Sequence, residues 1–191
     1  MNSSTEPVIK INAHGNDWYG FYIFYSTLHI INLKFKIMVF NEKTAEILND
    51  LVEINYDRVR GYEKAADETN TKDADLRSLF TDFSNESRGY ANELSALVSS
   101  MGKEPSTDST QRGKIYRAWM DVKAAITGSD RKAILASCEF GEDAAQRAYD
   151  KALENVEDLP ADIRDVIRKQ KENLKKGHDR VKQMRDTQKA S

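Results

Sequence analysis

The sequence predicts an all-α fold, an antiparallel bundle of four long helices with a long connection between the second and third. Three observations predict it. Apolar residues recur at helical spacing from about residue 44 onward, and no run with the two-residue period of a strand follows residue 38. Charged residues make up 31 % of the chain against three prolines and nine glycines, a composition suited to long solvated helices. Polar and Gly/Pro-bearing breaks separate the periodic stretches.

The first helix is expected over about 44–69, with Leu48, Leu51, Asn55, Val59, Tyr62 and Ala66 on one face. "NTKD" (Asn70–Asp73) is a short polar turn, so the second helix returns antiparallel. That helix spans about 73–101 with Leu76, Phe80, Phe83, Ser87, Tyr90, Leu94, Leu97 and Met101 in its stripe. The alternating spacing of four and three is that of a bundle seam. "GKEPSTDST" (Gly102–Thr110) breaks the pattern. A shorter helix follows over about 111–126, lined by Ile115, Trp119, Val122 and Ile126.

"TGSD" ends that short helix and offers Ser129 or Asp130 as the next N-cap. The third long helix runs to about 156, with Leu135, Cys138, Glu142, Ala145, Tyr149, Ala152 and Val156 facing inward. "EDLPAD" is a turn, with Pro160 suited to a first helical position. The fourth helix, about 161–185, turns Ile163, Ile167, Gln170, Leu174, Gly177, Val181 and Met184 inward. The result is two helix hairpins joined by a crossover of about 28 residues, which separates a ferritin-like bundle from a simple up-down one.

Residues 1–37 read differently from 38–191. Trp18 to Leu33, "WYGFYIFYSTLHIINL", is about 16 residues, against the roughly 20 that span a bilayer, and it carries Ser26, Thr27, His29 and Asn32. It has neither the basic start nor the small-residue cleavage site of a signal peptide. Residues 8–37 are rich in Ile, Asn, Lys, Phe and Tyr, as AT-rich non-coding DNA read in frame would be, and Met38 opens "MVFNEKTAEILNDL". Residues 1–37 are therefore expected to be a non-native or disordered extension, with a hydrophobic anchor as the alternative.

A formal net charge of −2 provides no global field toward nucleic acid or anionic lipid. The single cysteine, Cys138, excludes an internal disulfide and a multi-Cys zinc site. One glycine lies near the midpoint of each long helix (Gly61, Gly89, Gly141, Gly177), and one polar residue falls on each seam at a similar level (Asn55, Ser87, Glu142, Gln170). The glycines read either as close helix approach with room for Tyr62 and Tyr90, or as a small mid-bundle cavity. On the third helix Glu142 faces inward, and Glu139 and Asp143 lie on its flanks. A carboxylate in a core needs a partner or a proton. Tyr62, Tyr90, Asn55 and Gln170 are candidate donors, and His178 or Arg58 a candidate counter-charge.

A di-iron carboxylate bundle takes a Glu from each of two helices and Glu-x-x-His from the other two. The chain has no Glu-x-x-His, and after residue 38 its one histidine is His178. A degenerate metal site would draw on Glu142, His178, Glu63 and Glu93. A polar layer that fixes helix register is the other reading of the same residues. Cys138 reads as a small buried hydrophobe. No Ser-His-Asp set, phosphate loop or zinc pattern occurs.

"ILNDLVEINYDRVRGYEKAADET", "WMDVKAAITG", "CEFGEDAAQRAYDKALEN", "LPADIR" and "HDRVKQMR", in this order, resemble the bacterial four-helix-bundle family catalogued as domain of unknown function 2383. The likeness covers about residues 40–186. It implies membership of the ferritin-like superfamily and brings no established reaction. Family members resemble one another from near "NEKT", which implies Met38 as the start. The ferritin-type ligands do not carry over, because the Glu-x-x-His positions do not match.

The expected protein is a non-catalytic structural or interaction bundle of the bacterial cytoplasm, without a cofactor, acting through its surface or as a homodimer. Nucleic acid is not an expected partner, nor is membrane if Met38 is the start. The alternative is a bundle that binds iron, manganese or copper at mid-layer.

Overall fold

The computed structural model describes residues 17–69, 71–107, 131–154 and 159–188. These carry four helices: α1 (Asp17–Glu68), α2 (Ala74–Ser100), α3 (Arg131–Glu154) and α4 (Ala161–Asp186). The chain divides into two compact units, Met1–Val39 and Phe40–Ser191. The expected short helix over 111–126, the caps at Ser129 and Asp130, and Val156 lie outside the described residues.

Helix α1 begins at Asp17, well before the expected start near Thr44. No proline interrupts the sequence from Asp17 to Thr44, and Gly20 is its one glycine, so nothing local halts the helix. In the first unit its large apolar residues are exposed, from Tyr22 at 74 % and Phe24 at 68 % to Val39 at 49 %. The Ser26 and Thr27 hydroxyls donate back to the Ile23 carbonyl at 2.9 and 2.7 Å. This helix is long and apolar enough to cross a membrane by length and composition.

In the second unit, side-chain pairs fix the directions of the helices. Asn55 meets Tyr149 and Arg58 meets Glu142, so α1 and α3 are antiparallel. Asp150 meets Lys171, Asp143 meets His178 and Glu139 meets Arg185, so α3 and α4 are antiparallel. Arg131, which opens α3, binds Asp73 and Asp75 at the start of α2 at 2.7 and 2.6 Å. Helices α2 and α3 therefore begin at the same end and run parallel. The connection between them must return along the length of α2, about 40 Å for its 27 residues. That is the crossover of a ferritin-like bundle and not the hairpin of an up-down one.

The exit from α2 is a Schellman motif. Gly102, at φ 70°, donates to the Ser99 carbonyl at 2.9 Å, and Lys103 donates to Val98 at 3.3 Å. Asn49 then holds the chain against α1: its Nδ2 donates to the Glu104 carbonyl and its Oδ1 accepts from the Ser106 amide. Pro160 sits one place earlier than expected. It is the N-cap of α4, and its carbonyl accepts the Arg164 amide at 3.0 Å.

The core forms two apolar clusters. One gathers Leu48, Leu51, Leu94, Tyr149, Ile167 and Leu174, and the other Tyr62, Leu76, Phe80, Phe83, Leu135 and Val181. Each fully buried leucine contributes about 2 kcal/mol relative to exposure. On α2 the buried stripe is broader than the expected seam. Leu79, Ala91 and Val98 are buried, whereas Tyr90, Leu97 and Met101 are half-buried. A helix that packs on two neighbours needs a wider stripe than a two-helix seam provides. Ala66 and Met184 are likewise half-buried.

Candidate functional site

Between the two clusters lies a buried polar layer of Asn55, Arg58, Ser87, Glu142 and Gln170. Asn55, Arg58 and Tyr62 follow Leu51 on α1 at steps of four, three and four, which keeps them on its inward face. Glu142 and Tyr149 are two turns apart on α3 and both face inward.

Glu142 Oε1 accepts from Arg58 Nη2 at 2.6 Å, from Arg58 Nε at 3.2 Å and from the Tyr62 hydroxyl. Both members of the ion pair have side-chain exposure of 0 %. The third arm of the guanidinium, Nη1, donates to Ser87 Oγ at 2.7 Å. Ser87 in turn donates to the Phe83 carbonyl at 2.7 Å. The guanidinium carbon lies 5.5 Å from the centroid of the Tyr62 ring. That ring packs on Phe80 and Phe83, with centroids 5.8 and 5.1 Å away. Glu142 Oε2 has no hydrogen-bond partner.

A second chain of bonds runs beside the first. Asn55 Nδ2 donates to the Tyr149 hydroxyl at 2.7 Å and to the Leu51 carbonyl at 2.8 Å. Tyr149 donates to Gln170 Oε1, and Gln170 Nε2 donates to Glu93 Oε2, each at 2.7 Å. This chain leads from the core to the surface of α2.

The electrostatics follow from burial. Burial alone would discharge Arg58, but Glu142 and its neighbours outweigh it and hold the guanidinium above its ordinary range. Burial pushes the Tyr62 phenol well up; the Glu142 charge adds to this and Arg58 partly offsets it. Burial also raises Tyr149, against the opposing pull of its Asn55 bond and of Arg58. Burial and the Glu142 charge push the Cys138 thiol well up, so it is a neutral, sealed side chain.

Of the two proposed counter-charges, Arg58 takes Glu142 and His178 does not. His178 follows inward-facing Gly177 by one residue, a rotation of about 100°, which carries it to the α3–α4 edge. There Nε2 meets Asp143 Oδ1 and Nδ1 meets Asp179 Oδ1, each at 3.0 Å. Of the proposed donors to Glu142, Tyr62 alone reaches it. Asn55 and Gln170 bind Tyr149, and Tyr90 donates to Glu86 one turn back at 2.6 Å. Glu139 and Asp143 do lie on the flanks, paired with Arg185 and His178.

The four metal-ligand candidates are not brought together. Glu142 is held by Arg58, Glu93 by Gln170, Glu63 by Arg88 at 2.6 Å on the surface, and His178 by Asp143 and Asp179. Among the described residues no group of three or more His, Cys, Asp or Glu side chains is placed to hold a metal ion. A guanidinium seated on the buried Glu142 carboxylate does not fit a di-iron centre there. The mid-helix glycines are also unequal, since Gly61, Gly141 and Gly177 are buried and Gly89 is exposed with open space around it.

The bridging hydroxyl of Tyr149 is the feature that reading the sequence missed. Its signal was present: an inward tyrosine two turns from an inward Glu, on the same seam.

A family model described as a domain of unknown function, DUF2383, matches residues 43–155. No curated protein matches the chain. Among solved structures, a Mycobacterium smegmatis Dps1 point mutant superposes with a TM-score of 0.67 at 18 % identity, covering 76 % of this chain and 97 % of that one. At that identity the likeness is one of fold. It agrees with the parallel α2–α3 pair in making the bundle ferritin-like.

Proposed function

The chain belongs to the DUF2383 family, and from the interior just described we propose that it is a non-catalytic structural or interaction protein of the bacterial cytoplasm. One observation carries this reading. The place where a bundle gathers carboxylates around an ion holds a side chain of the protein's own, Arg58, whose fixed charge answers Glu142. A second cation would meet that charge in a low-dielectric interior. The bundle then acts through its outer faces, alone or as a homodimer, on a protein partner rather than on nucleic acid.

Elemental analysis of the purified full-length chain, grown with added iron and manganese, tests it. The expected metal content is well below one ion per chain and unchanged in Glu142→Ala. Stoichiometric iron, manganese or copper that disappears in Glu142→Ala would establish the metal-binding alternative.

The exposed apolar side chains from Tyr22 to Val39 favour a second reading of location, in which this part of α1 anchors the protein in a membrane. Alkaline carbonate extraction of cells expressing the full chain separates the two. Release into the supernatant supports the cytoplasmic reading, and retention with lipid supports the anchor.

A further inference from the structure

Tyr22, Ile23, Phe24 and Tyr25 are consecutive on α1, so their side chains leave the helix about 100° apart and between them face every direction. Each is exposed, at 74, 61, 68 and 66 %. The exposed apolar series continues through Ile31 and Phe35 to Val39. A helix that lies on a surface keeps one polar side, whereas a helix apolar on all sides belongs in a protein core or across a bilayer. This stretch is 0 % buried inside the protein.

Its length and its polar groups suit the bilayer. Tyr22 to Val39 is 18 residues, within the roughly 17–25 that cross a hydrocarbon core. No Asp or Glu occurs between them. The two aliphatic hydroxyls, Ser26 and Thr27, both donate to the Ile23 carbonyl, so neither needs water. His29 and Asn32 are polar without a fixed charge. Lys34 and Lys36 lie toward the Val39 end, where an ammonium group on its four-carbon stem reaches the headgroups.

Charge sets the direction. Before Tyr22 the sequence holds one Lys or Arg, Lys10, whereas Lys34, Lys36 and Lys43 gather at the other end. The end of a span that carries more Lys and Arg stays on the cytoplasmic side. We propose that Tyr22–Val39 crosses the cytoplasmic membrane once, with the residues before it outside and the four-helix bundle on the cytoplasmic side. The occupant of the exposed surface is lipid hydrocarbon, because a protein groove covers one stripe of a helix and here every side is apolar. The inference rests on the anchor reading of α1. It keeps the site of action proposed above: the bundle meets its protein partners in the cytoplasm, but at the membrane.

Two single-cysteine chains test it, each full length, carrying Cys138→Ala and expressed in bacteria: Ser3→Cys and Ser191→Cys. A membrane-impermeant maleimide added to intact spheroplasts should label the Ser3→Cys chain. It should leave the Ser191→Cys chain unlabelled until the membrane is broken. The reverse pattern, or labelling of both in intact spheroplasts, would overturn the orientation. Protection of both, with the chains retained after alkaline carbonate, would overturn the span and leave an anchor in the inner leaflet. Release by carbonate would remove the anchor reading itself, and this inference with it. Leu28→Glu combined with Ile31→Glu puts two carboxylates in mid-span and should move most of the chain to the carbonate supernatant. Unchanged retention of that variant would overturn the assignment of this helix as the span. Metal content bears on none of these outcomes, so their failure leaves the proposed function standing.

Discussion

Arg58 sets Nε and Nη2 on the same oxygen of Glu142, at 3.2 and 2.6 Å, across the α1–α3 interface and out of reach of solvent. Removing one partner strands the other charge in the core. Arg58→Met and Glu142→Leu should therefore each lower stability by about 3–5 kcal/mol. The double variant should recover most of that loss, because an apolar pair has no charge to desolvate. Urea denaturation of the four proteins gives the coupling directly. Additive losses would show that the pair is not the unit argued here.

Tyr149 joins α1 to α4 through one hydroxyl. Tyr149→Phe leaves Gln170 Oε1 buried without its donor, while Asn55 Nδ2 keeps the Leu51 carbonyl. The expected cost is about 1–3 kcal/mol. Tyr90→Phe is the control: its hydroxyl donates to Glu86 and also meets Asn173, but at a half-buried site where water can replace both, and its loss should cost less than about 1 kcal/mol. Equal midpoints for the two variants would contradict the bridging role.

The bundle was legible because periodicity records which face is inward. Leu48, Phe80, Leu135 and Ile167 were expected inside and are buried. The crossover was legible from the Gly/Pro break after Met101, and the Arg131–Asp75 pair gives its physical consequence. Partner choice was less legible. Periodicity places Glu142 inside without saying whether Arg58 or His178 reaches it, because that depends on helix rotation and side-chain length. The start of α1 was misplaced for a different reason: a break in composition near Met38 is not a break in helix propensity.

Gly89 offers a gain in stability. It lies within α2, exposed, with nothing within 4 Å of where a methyl would sit. Gly89→Ala should stabilise the protein by about 0.5–1 kcal/mol through helix propensity and a less flexible unfolded chain. A higher denaturation midpoint at unchanged slope is the expected signature. A loss would mean that this face packs on something, and would direct the search for a partner to the middle of α2.

Cys138 should be inert in the native protein. Burial and the adjacent Glu142 charge both push its thiol up, and the thiolate is the reactive form. Ellman's reagent should label no thiol in native buffer within the time it takes to label the unfolded chain completely. Fast native labelling would show that this part of α3 opens readily.

The tyrosines set the alkaline limit of the fold. In the native protein burial raises the Tyr62 and Tyr149 phenols above their ordinary value, while in the unfolded chain they ionise near pH 10. A group whose pKa is higher in the folded state contributes its full stabilisation below the unfolded value, and that contribution falls as pH rises toward the folded one. Stability should therefore decline from about pH 10 upward. Absorbance at 295 nm should show these phenols appearing together with loss of helical circular dichroism, in one cooperative step. Tyr62→Phe should remove one phenol from that step and weaken the decline. If both buried phenols titrated while the helical signal stayed intact, the sealed interior at Glu142 would be wrong.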